Sequence, residues 1–166
     1  LAVVKRVEPR MKSYYSGLYV DDRLTFESVT TGHAANPNFR GELNAYMRAG
    51  VELIPAAPFS NAGRLRAVAL SFMFAVAEES SGTLALMLID DPALSLDDEH
   101  KARLLDQLVT PMLARYQLVL ATHYESFYKQ AESVFANATR LQLVPRRTVA
   151  DAVGFAHRNL VIHRDL

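Results

Sequence analysis

The sequence predicts an α/β protein with a mainly parallel sheet and flanking helices. Residues 84–89 and 117–121 form short, nearly uninterrupted apolar runs, which are typical of strands covered on both faces. Each run is followed by a segment with helical spacing, 98–115 and 124–135. Alternating strands and helices favour parallel pairing, because a helix returns the chain to the starting edge of the sheet.

The other elements follow from local composition. Residues 64–79 predict a buried helix, because apolar side chains occur around nearly its whole circumference. Aromatic and β-branched residues over 13–31 predict a β-hairpin before the sheet, with its turn at Asp21 and Asp22. Three shorter predictions are a helix at 42–49, a strand at 51–54 and an edge strand at 139–144, with Pro111 expected to kink or tighten the 98–115 helix.

Composition excludes several classes of function. The 166 residues carry 18 Lys and Arg against 18 Asp and Glu, so no overall basic field indicates nucleic acid. The absence of cysteine excludes disulfides and thiolate chemistry, and the histidines have no zinc-ligand spacing. No apolar run reaches the roughly 18 residues of a membrane span, so we expect a cytoplasmic protein without a membrane partner. Because the chain does not begin with Met, we interpret it as a piece of a longer protein.

Polar residues follow both predicted parallel strands. Asp90 and Asp91 come directly after the first strand, and His123 follows the second. Ligands of open α/β sheets gather at the carboxyl ends of the strands, where one carboxylate can hold Mg²⁺ and a second can orient or deprotonate water. Alternatively, a pair of acids after a strand is a common helix cap, a role that suits Asp97 and Asp98, and His123 can be an ordinary loop residue.

Three ordered segments resemble motifs of ABC-type ATPases. The run LALMLIDDPALSLDDEH resembles a Walker B strand with its catalytic acid and the D-loop, and LVLATHYESF resembles the switch-histidine segment. Upstream, PFSNAGRLRAVALSFMFAVAEE resembles the signature motif and helix of the SMC, RecF and RecN-like branch. The chain therefore looks like the C-terminal half of a P-loop ATPase head, which predicts ATP and Mg²⁺ as cofactors.

The resemblance also implies residue roles. Asp90 would be the Walker B carboxylate near Mg²⁺, Asp91 the general base or water-positioning acid, and His123 the switch histidine. The D-loop acid that communicates across a dimer of heads would be Asp97. The signature residues Ser60, Asn61 and Ala62 would contact the nucleotide held by the second head, which is a copy of this head or a related one.

Two departures from the family pattern affect this reading. The signature has Gly63 where the family usually has Gln or Glu, so the contact across the dimer is expected to be weaker or differently built. No GxxxxGK[ST] phosphate loop is present, so the chain alone should bind ATP poorly and scarcely hydrolyse it. The resemblance places that loop in an N-terminal half of the head, which a long coiled coil often separates from this half. Residues 1–12 would form the last turn of that coiled coil.

The last residues resemble a different family. TVADAVGFAHRNLVIHRDL resembles the helix and catalytic loop of bacterial Ser/Thr protein kinases, with Asp165 as the base and His163 and Arg164 beside it. A chance echo in a helix and a short strand is the alternative. We therefore divide the chain into a head lobe, 1–144, and a linker with a tail, 145–166.

The sequence thus predicts part of an ATP-driven head that acts as an ATPase only together with the N-terminal half. A role in DNA repair, DNA maintenance or defence is implied by the resemblance alone. Two alternatives remain open: a non-hydrolysing dimerisation module, which Gly63 favours, and a truncated kinase fragment, which leaves everything before Val144 unexplained.

Overall fold

The computed structural model of the chain describes residues 2–20, 23–32, 42–80, 85–142 and 158–162. The chain forms two compact units, Leu1–Ser81 and Gly82–Leu166. The helices of the first unit are α1 (Ala2–Leu18), α2 (Ala56–Phe59) and α3 (Ala62–Glu79), and its strands are β1 (Thr25–Gly32), β2 (Glu42–Ala49) and β3 (Glu52–Pro55). The second unit contains β4 (Leu86–Asp90), α4 (Asp98–Arg103), a π-helical segment (Leu104–Val109), α5 (Thr110–Met112), β5 (Gln117–Thr122), α6 (Glu125–Val134), β6 (Arg140–Gln142) and β7 (Arg158–Ile162).

The predicted hairpin at 13–31 is wrong, because α1 extends through its first third. Val7, Met11, Tyr15 and Leu18 recur at helical spacing and are all buried, so one apolar face packs inward. That shared face outweighs the β-propensity of the tyrosines. The second half of the segment is a strand, β1, and the predicted turn residues lie outside the described part of the chain.

The three strands of the first unit form an antiparallel sheet in the order β1-β2-β3. The helix predicted at 42–49 is wrong, because these residues form the central strand, β2, with partners on both sides. Ladder hydrogen bonds on two edges override the helix propensity of Glu, Leu and Ala, while Met47 is fully buried. The strand predicted at 51–54 is confirmed as β3, and Gly50 takes a positive φ of 60° in the turn before it.

The helix predicted at 64–79 is confirmed as α3, which packs against α1. Phe74 is fully buried and its ring lies 6.1 Å from that of Tyr14. At the C-terminal end of α3, Arg10 pairs with Glu78 at 3.0 Å and also with Glu79. The helix that follows the signature segment is therefore attached to α1 by apolar packing and by charge.

Among the described strands of the second unit, one pair is parallel. Its sheet has the order β4-β5-β7-β6; β4 and β5 are parallel, whereas β7 is antiparallel to both β5 and β6. The expectation of a mainly parallel sheet is therefore wrong for the described strands. The helical crossover between β4 and β5 dictates parallel pairing there, but no pattern in the sequence indicated that β7 would lie between β5 and β6.

The helical run 98–112 carries a fully buried row of Leu104, Leu105, Leu108, Val109 and Met112. The disturbance expected at Pro111 takes the form of the π-helical segment directly before it. Pro111 has no N–H to donate to the preceding turn, and the Thr110 N–H donates to the Leu105 carbonyl one residue further back than in an α-helix.

Residues 143–157 and 163–166 are outside the described part, so the helix of the kinase-like tail and Asp165, His163 and Arg164 are not placed. The short strand of that tail is β7, which pairs with β6 across the boundary predicted after residue 144. The division at 144 and 145 stays a prediction.

Candidate functional site

The carboxyl ends of β4 and β5 lie side by side. Asp90 is the last residue of β4 and is in register with Ala121 of β5. The backbone continues the pairing one step further, since the Asp91 N–H donates to the Ala121 carbonyl at 2.9 Å. The parallel register therefore brings the residues after both strands to one edge of the sheet, as the sequence predicts.

Asp91 and His123 meet at this edge through two hydrogen bonds. Asp91 Oδ1 accepts the His123 backbone N–H at 3.1 Å, and Asp91 Oδ2 lies 2.7 Å from His123 Nδ1. Asp91 has a φ of 42°, a left-handed conformation that non-glycine residues adopt mainly where the surrounding structure imposes it. The carboxylate is thus held by its backbone and its partner together.

The pairing sets the chemistry of the imidazole. A carboxylate at Nδ1 requires a proton there, so Nε2 is the ring nitrogen that remains for another ligand. The Asp91 and His123 side chains are 23% and 37% exposed, so solvent and a ligand can both reach the pair. An oriented imidazole beside a carboxylate can hold a phosphate oxygen or a water molecule and can pass a proton.

Asp90 is the exposed carboxylate next to this pair. Among the described residues, no group of three or more His, Asp or Glu side chains is arranged to hold a metal ion. Mg²⁺ bound to a nucleotide typically takes one or two protein carboxylates, and the exposed Asp90 can supply one.

Asp97 caps helix α4. Its Oδ1 accepts the His100 backbone N–H at 2.9 Å and lies 2.6 Å from His100 Nδ1. These hydrogen bonds, first that from the His100 backbone, lower the pKa of the Asp97 carboxyl. The capping role, which the sequence left as an alternative, is therefore present, and the role across a dimer stays a prediction.

We expect Asp97→Ala to weaken the first turn of α4. Loss of a helix N-cap costs about 1 kcal/mol, which corresponds to roughly fivefold faster exchange of the α4 amide hydrogens. Asp97→Asn retains an oxygen acceptor but loses the charge, so it is the matched control and should accelerate exchange at pH 7 less than Asp97→Ala does. Because the pKa of Asp97 is lowered in the folded state, its charge stabilises the fold at pH values above the ordinary carboxyl pKa. This stabilisation is lost as the pH falls through the lowered pKa. Equal acceleration in both variants would contradict the capping account.

Ser60 and Asn61 form the junction between α2 and α3 in the first unit. Asn61 is the N-cap of α3 and accepts the Arg64 N–H at 2.9 Å. Within the described residues, Ser60 Oγ is buried and makes no hydrogen bond. Ala62 begins the helix and is exposed, and Gly63 after it is buried. The structure thus shows a structural role for Asn61, while the predicted nucleotide contacts of the three signature residues stay predictions.

Sequence reasoning missed two residues beside the site. The Tyr124 ring lies 4.0 Å from the His123 ring, and Lys101, buried among α4 and α6 residues, places its ammonium 5.5 Å from the Tyr124 centroid. The adjacency of Tyr124 to His123 was visible in the sequence. Lys101 gave no comparable signal, since a charged residue in the first turns of an amphipathic helix is ordinarily exposed.

No helix in the described ranges is long and apolar enough to cross a membrane. Comparison with known proteins found no matching family profile and no curated protein that matches in sequence.

Solved structures do match the chain. It is similar to an SMC ATPase from work on ATP-driven dimerization and DNA-stimulated activation, with 15% identity, a TM-score of 0.62, and coverage of 98% of this chain and 86% of that chain. A second is an Smc head bound to the C-winged helix domain of ScpA, with 16% identity, a TM-score of 0.61, and coverage of 86% and 40%. A third, from Pyrococcus yayanosii, is an Smc head with a coiled coil and joint, with 16% identity, a TM-score of 0.59, and coverage of 96% and 27%.

The chain therefore has the fold of an SMC-type ATPase head, over a part of such a protein. It spans less than half of the second and third of these structures. At these identities the likeness establishes the fold alone.

Proposed function

We propose that the chain is the C-terminal part of an ATP-binding and ATP-hydrolysing SMC-like head. The observation that carries this proposal is the paired Asp91 and His123 beside Asp90, at the carboxyl edge of the two parallel strands. Carboxylates and a histidine at this edge are what phosphoryl transfer to water requires: a metal ligand, an acceptor for the proton of water and a group for the γ-phosphate.

Each residue then has a chemical role. Asp90 would hold Mg²⁺, directly or through water, and the ion would supply neutralisation of the phosphate charge. Asp91 orients the attacking water and accepts its proton as the water oxygen bonds to the γ-phosphorus and the bond to the bridging oxygen of ADP breaks. His123, held through Nδ1, offers Nε2 to a γ-phosphate oxygen.

The signature segment acts on a second head. By its resemblance to the signature serine, Ser60 donates to the γ-phosphate held by the partner, and because its Oγ is buried in this chain, the side chain turns outward when the heads meet. The N-terminus of α3 adds a positive dipole there. Asp97, as the D-loop acid, also contacts the second head. ATP thereby links two heads, and hydrolysis releases them.

A missing half of the head covers the outer face of β4. Leu86 and Leu88 on that strand are 38% and 68% exposed, while Met87 and Ile89 between them are buried. Strands with such apolar sequences are ordinarily covered on both faces. An ATPase head also needs the half that carries the phosphate loop. Binding of that half to this face would bury both leucines.

Leu88→Lys is expected to prevent assembly with the half that carries the phosphate loop. Burying an unpaired ammonium in an apolar interface costs several kcal/mol, so we expect association to weaken by at least about a hundredfold. Val134→Lys on α6, where the valine is 50% exposed, is the matched control and should assemble normally. Co-purification and light scattering measure the complex; equal assembly of both variants would contradict the proposed interface.

The proposed function is tested by nucleotide binding. A fluorescent ATP analogue with Mg²⁺ should bind the assembled head and bind this chain alone weakly or not at all, because the phosphate loop is absent from the chain. Equal binding by this chain alone would contradict the proposed division of the site. Binding without turnover by the assembled head would favour the alternative, a non-hydrolysing dimerisation module, which Gly63 in the signature supports.

The cellular role follows by analogy. One structural neighbour is an SMC ATPase with DNA-stimulated activation and another binds ScpA, so we propose that this head also couples ATP-driven dimerisation to DNA maintenance, repair or defence. Motifs that resemble the RecF and RecN-like branch extend the proposal to that group.

A further inference from the structure

Lys101 is a buried lysine that the proposed chemistry does not use. It is one of three polar or charged residues that are buried in the described part of the chain, and its side chain is 11% exposed. Its Nζ lies 3.0 Å from Asp98 Oδ1 and 3.3 Å from Ser126 Oγ. The ammonium also lies 5.5 Å from the centroid of the Tyr124 ring. The lysine therefore joins the first turn of α4 to the first turn of α6.

Packing alone does not explain a charge at this position. Removing an ammonium from water costs free energy, and an apolar side chain of similar length would join two helices at least as well. Lys129 on α6 shows the ordinary arrangement, with a 68% exposed side chain paired to Glu125 at 3.1 Å. The hydrogen bonds and the ring contact of Lys101 instead fix the direction of specific groups.

The groups that Lys101 fixes surround His123. Tyr124 follows His123, its ring lies 4.0 Å from the imidazole, and its N–H donates to Thr122 Oγ1 at 3.1 Å. Ser126 stands in the first turn of α6, three residues after His123. A displacement of the Lys101 side chain would therefore move the Tyr124 ring and the start of α6, both of which adjoin the His123 imidazole. Because the imidazole is hydrogen-bonded to Asp91, the position of that carboxylate would change as well.

The other end of the link is the turn that begins α4. The Lys101 N–H donates to the Asp97 carbonyl at 2.9 Å, and its ammonium binds Asp98. We propose that Lys101 is a positioning residue that couples this turn to the His123 loop. On the proposed function, on which this inference rests, contact of a second head with Asp97 then sets the geometry of the Asp91 and His123 pair.

The test compares Lys101→Met with Lys101→Arg and with Lys129→Met in the head assembled with its phosphate-loop half. Nitrogen–proton NMR correlations of the His123 imidazole report the ring directly, with His123→Gln used for assignment, and steady-state MgATP hydrolysis reports kcat and KM. Lys101→Met should shift the His123 ring signals and lower kcat about tenfold with KM changed by less than about twofold. Lys101→Arg should restore most of both, and Lys129→Met should change neither.

Unchanged His123 signals in Lys101→Met would overturn the proposal whatever happens to hydrolysis. Shifted signals with an unchanged kcat would also overturn it, because the ring would move without consequence for the reaction. A wild-type head that binds ATP but never turns it over would refute the proposed function separately, since the ring signals can be read without hydrolysis.

Discussion

Asp91→Asn should abolish ATP hydrolysis while leaving ATP binding and head dimerisation in place. The amide keeps the size of the carboxylate and can still accept the His123 backbone N–H, but it cannot take a proton from water. General-base and water-positioning groups contribute about 10²–10⁴-fold, so we expect kcat to fall by at least about a hundredfold. Single-turnover hydrolysis and the mass of the complex in ATP measure the two properties together.

The control for this variant is Asp106→Asn. Asp106 is an exposed acid in the π-helical segment, where it accepts a hydrogen bond from its neighbour Gln107. The same change of charge there should leave kcat within about twofold, as surface substitutions outside a site usually do. If Asp91→Asn also kept near-normal turnover, Asp91 would not be the water-activating acid, and the account of the site would need another base.

His123→Gln and Asp91→Asn should be strongly non-additive. The two side chains share a hydrogen bond of 2.7 Å, so each single variant breaks the same pair. We expect His123→Gln to lower kcat by at least about tenfold and Asp91→Asn by at least about a hundredfold, and the double variant to fall less than about threefold below Asp91→Asn. The cycle is measured as kcat at saturating ATP for the four proteins.

Lys129→Met provides a matched cycle with Asp91→Asn, because Lys129 lies on α6 and pairs with Glu125 rather than with the site. Its effect should add to that of Asp91→Asn within about 0.5 kcal/mol. Fully additive losses for His123→Gln and Asp91→Asn would mean that the two residues act independently and that their hydrogen bond has no part in the reaction.

The meeting of Asp91 and His123 could be predicted because it needs only two facts, the position of each residue after an apolar strand and the parallel pairing of those strands. The two hydrogen bonds could not, since they depend on the left-handed conformation of Asp91. The burial of Lys101 could not be predicted for a related reason. It arises because α4 packs on α6, and these two helices are more than twenty residues apart in sequence.

The fold was predictable where one physical signal dominated. Helix α3 and strands β4 and β5 have long or uninterrupted apolar patterns, and all three were placed correctly. Prediction was wrong where local propensity and tertiary pairing disagree. Tyr15 favours a strand but belongs to the buried face of α1, and Glu42–Ala49 favours a helix but is the central strand of a sheet. The position of β7 between β5 and β6 depends on contacts that no local pattern encodes.

The most direct test of the central claim is steady-state ATP hydrolysis by this chain, by the phosphate-loop half, and by the two assembled together, with and without Mg²⁺. The account predicts Mg²⁺-dependent turnover by the assembled head and none above background by either half alone. An assembled head that binds ATP and dimerises but releases no phosphate would contradict it, and would identify the chain as part of a dimerisation module instead.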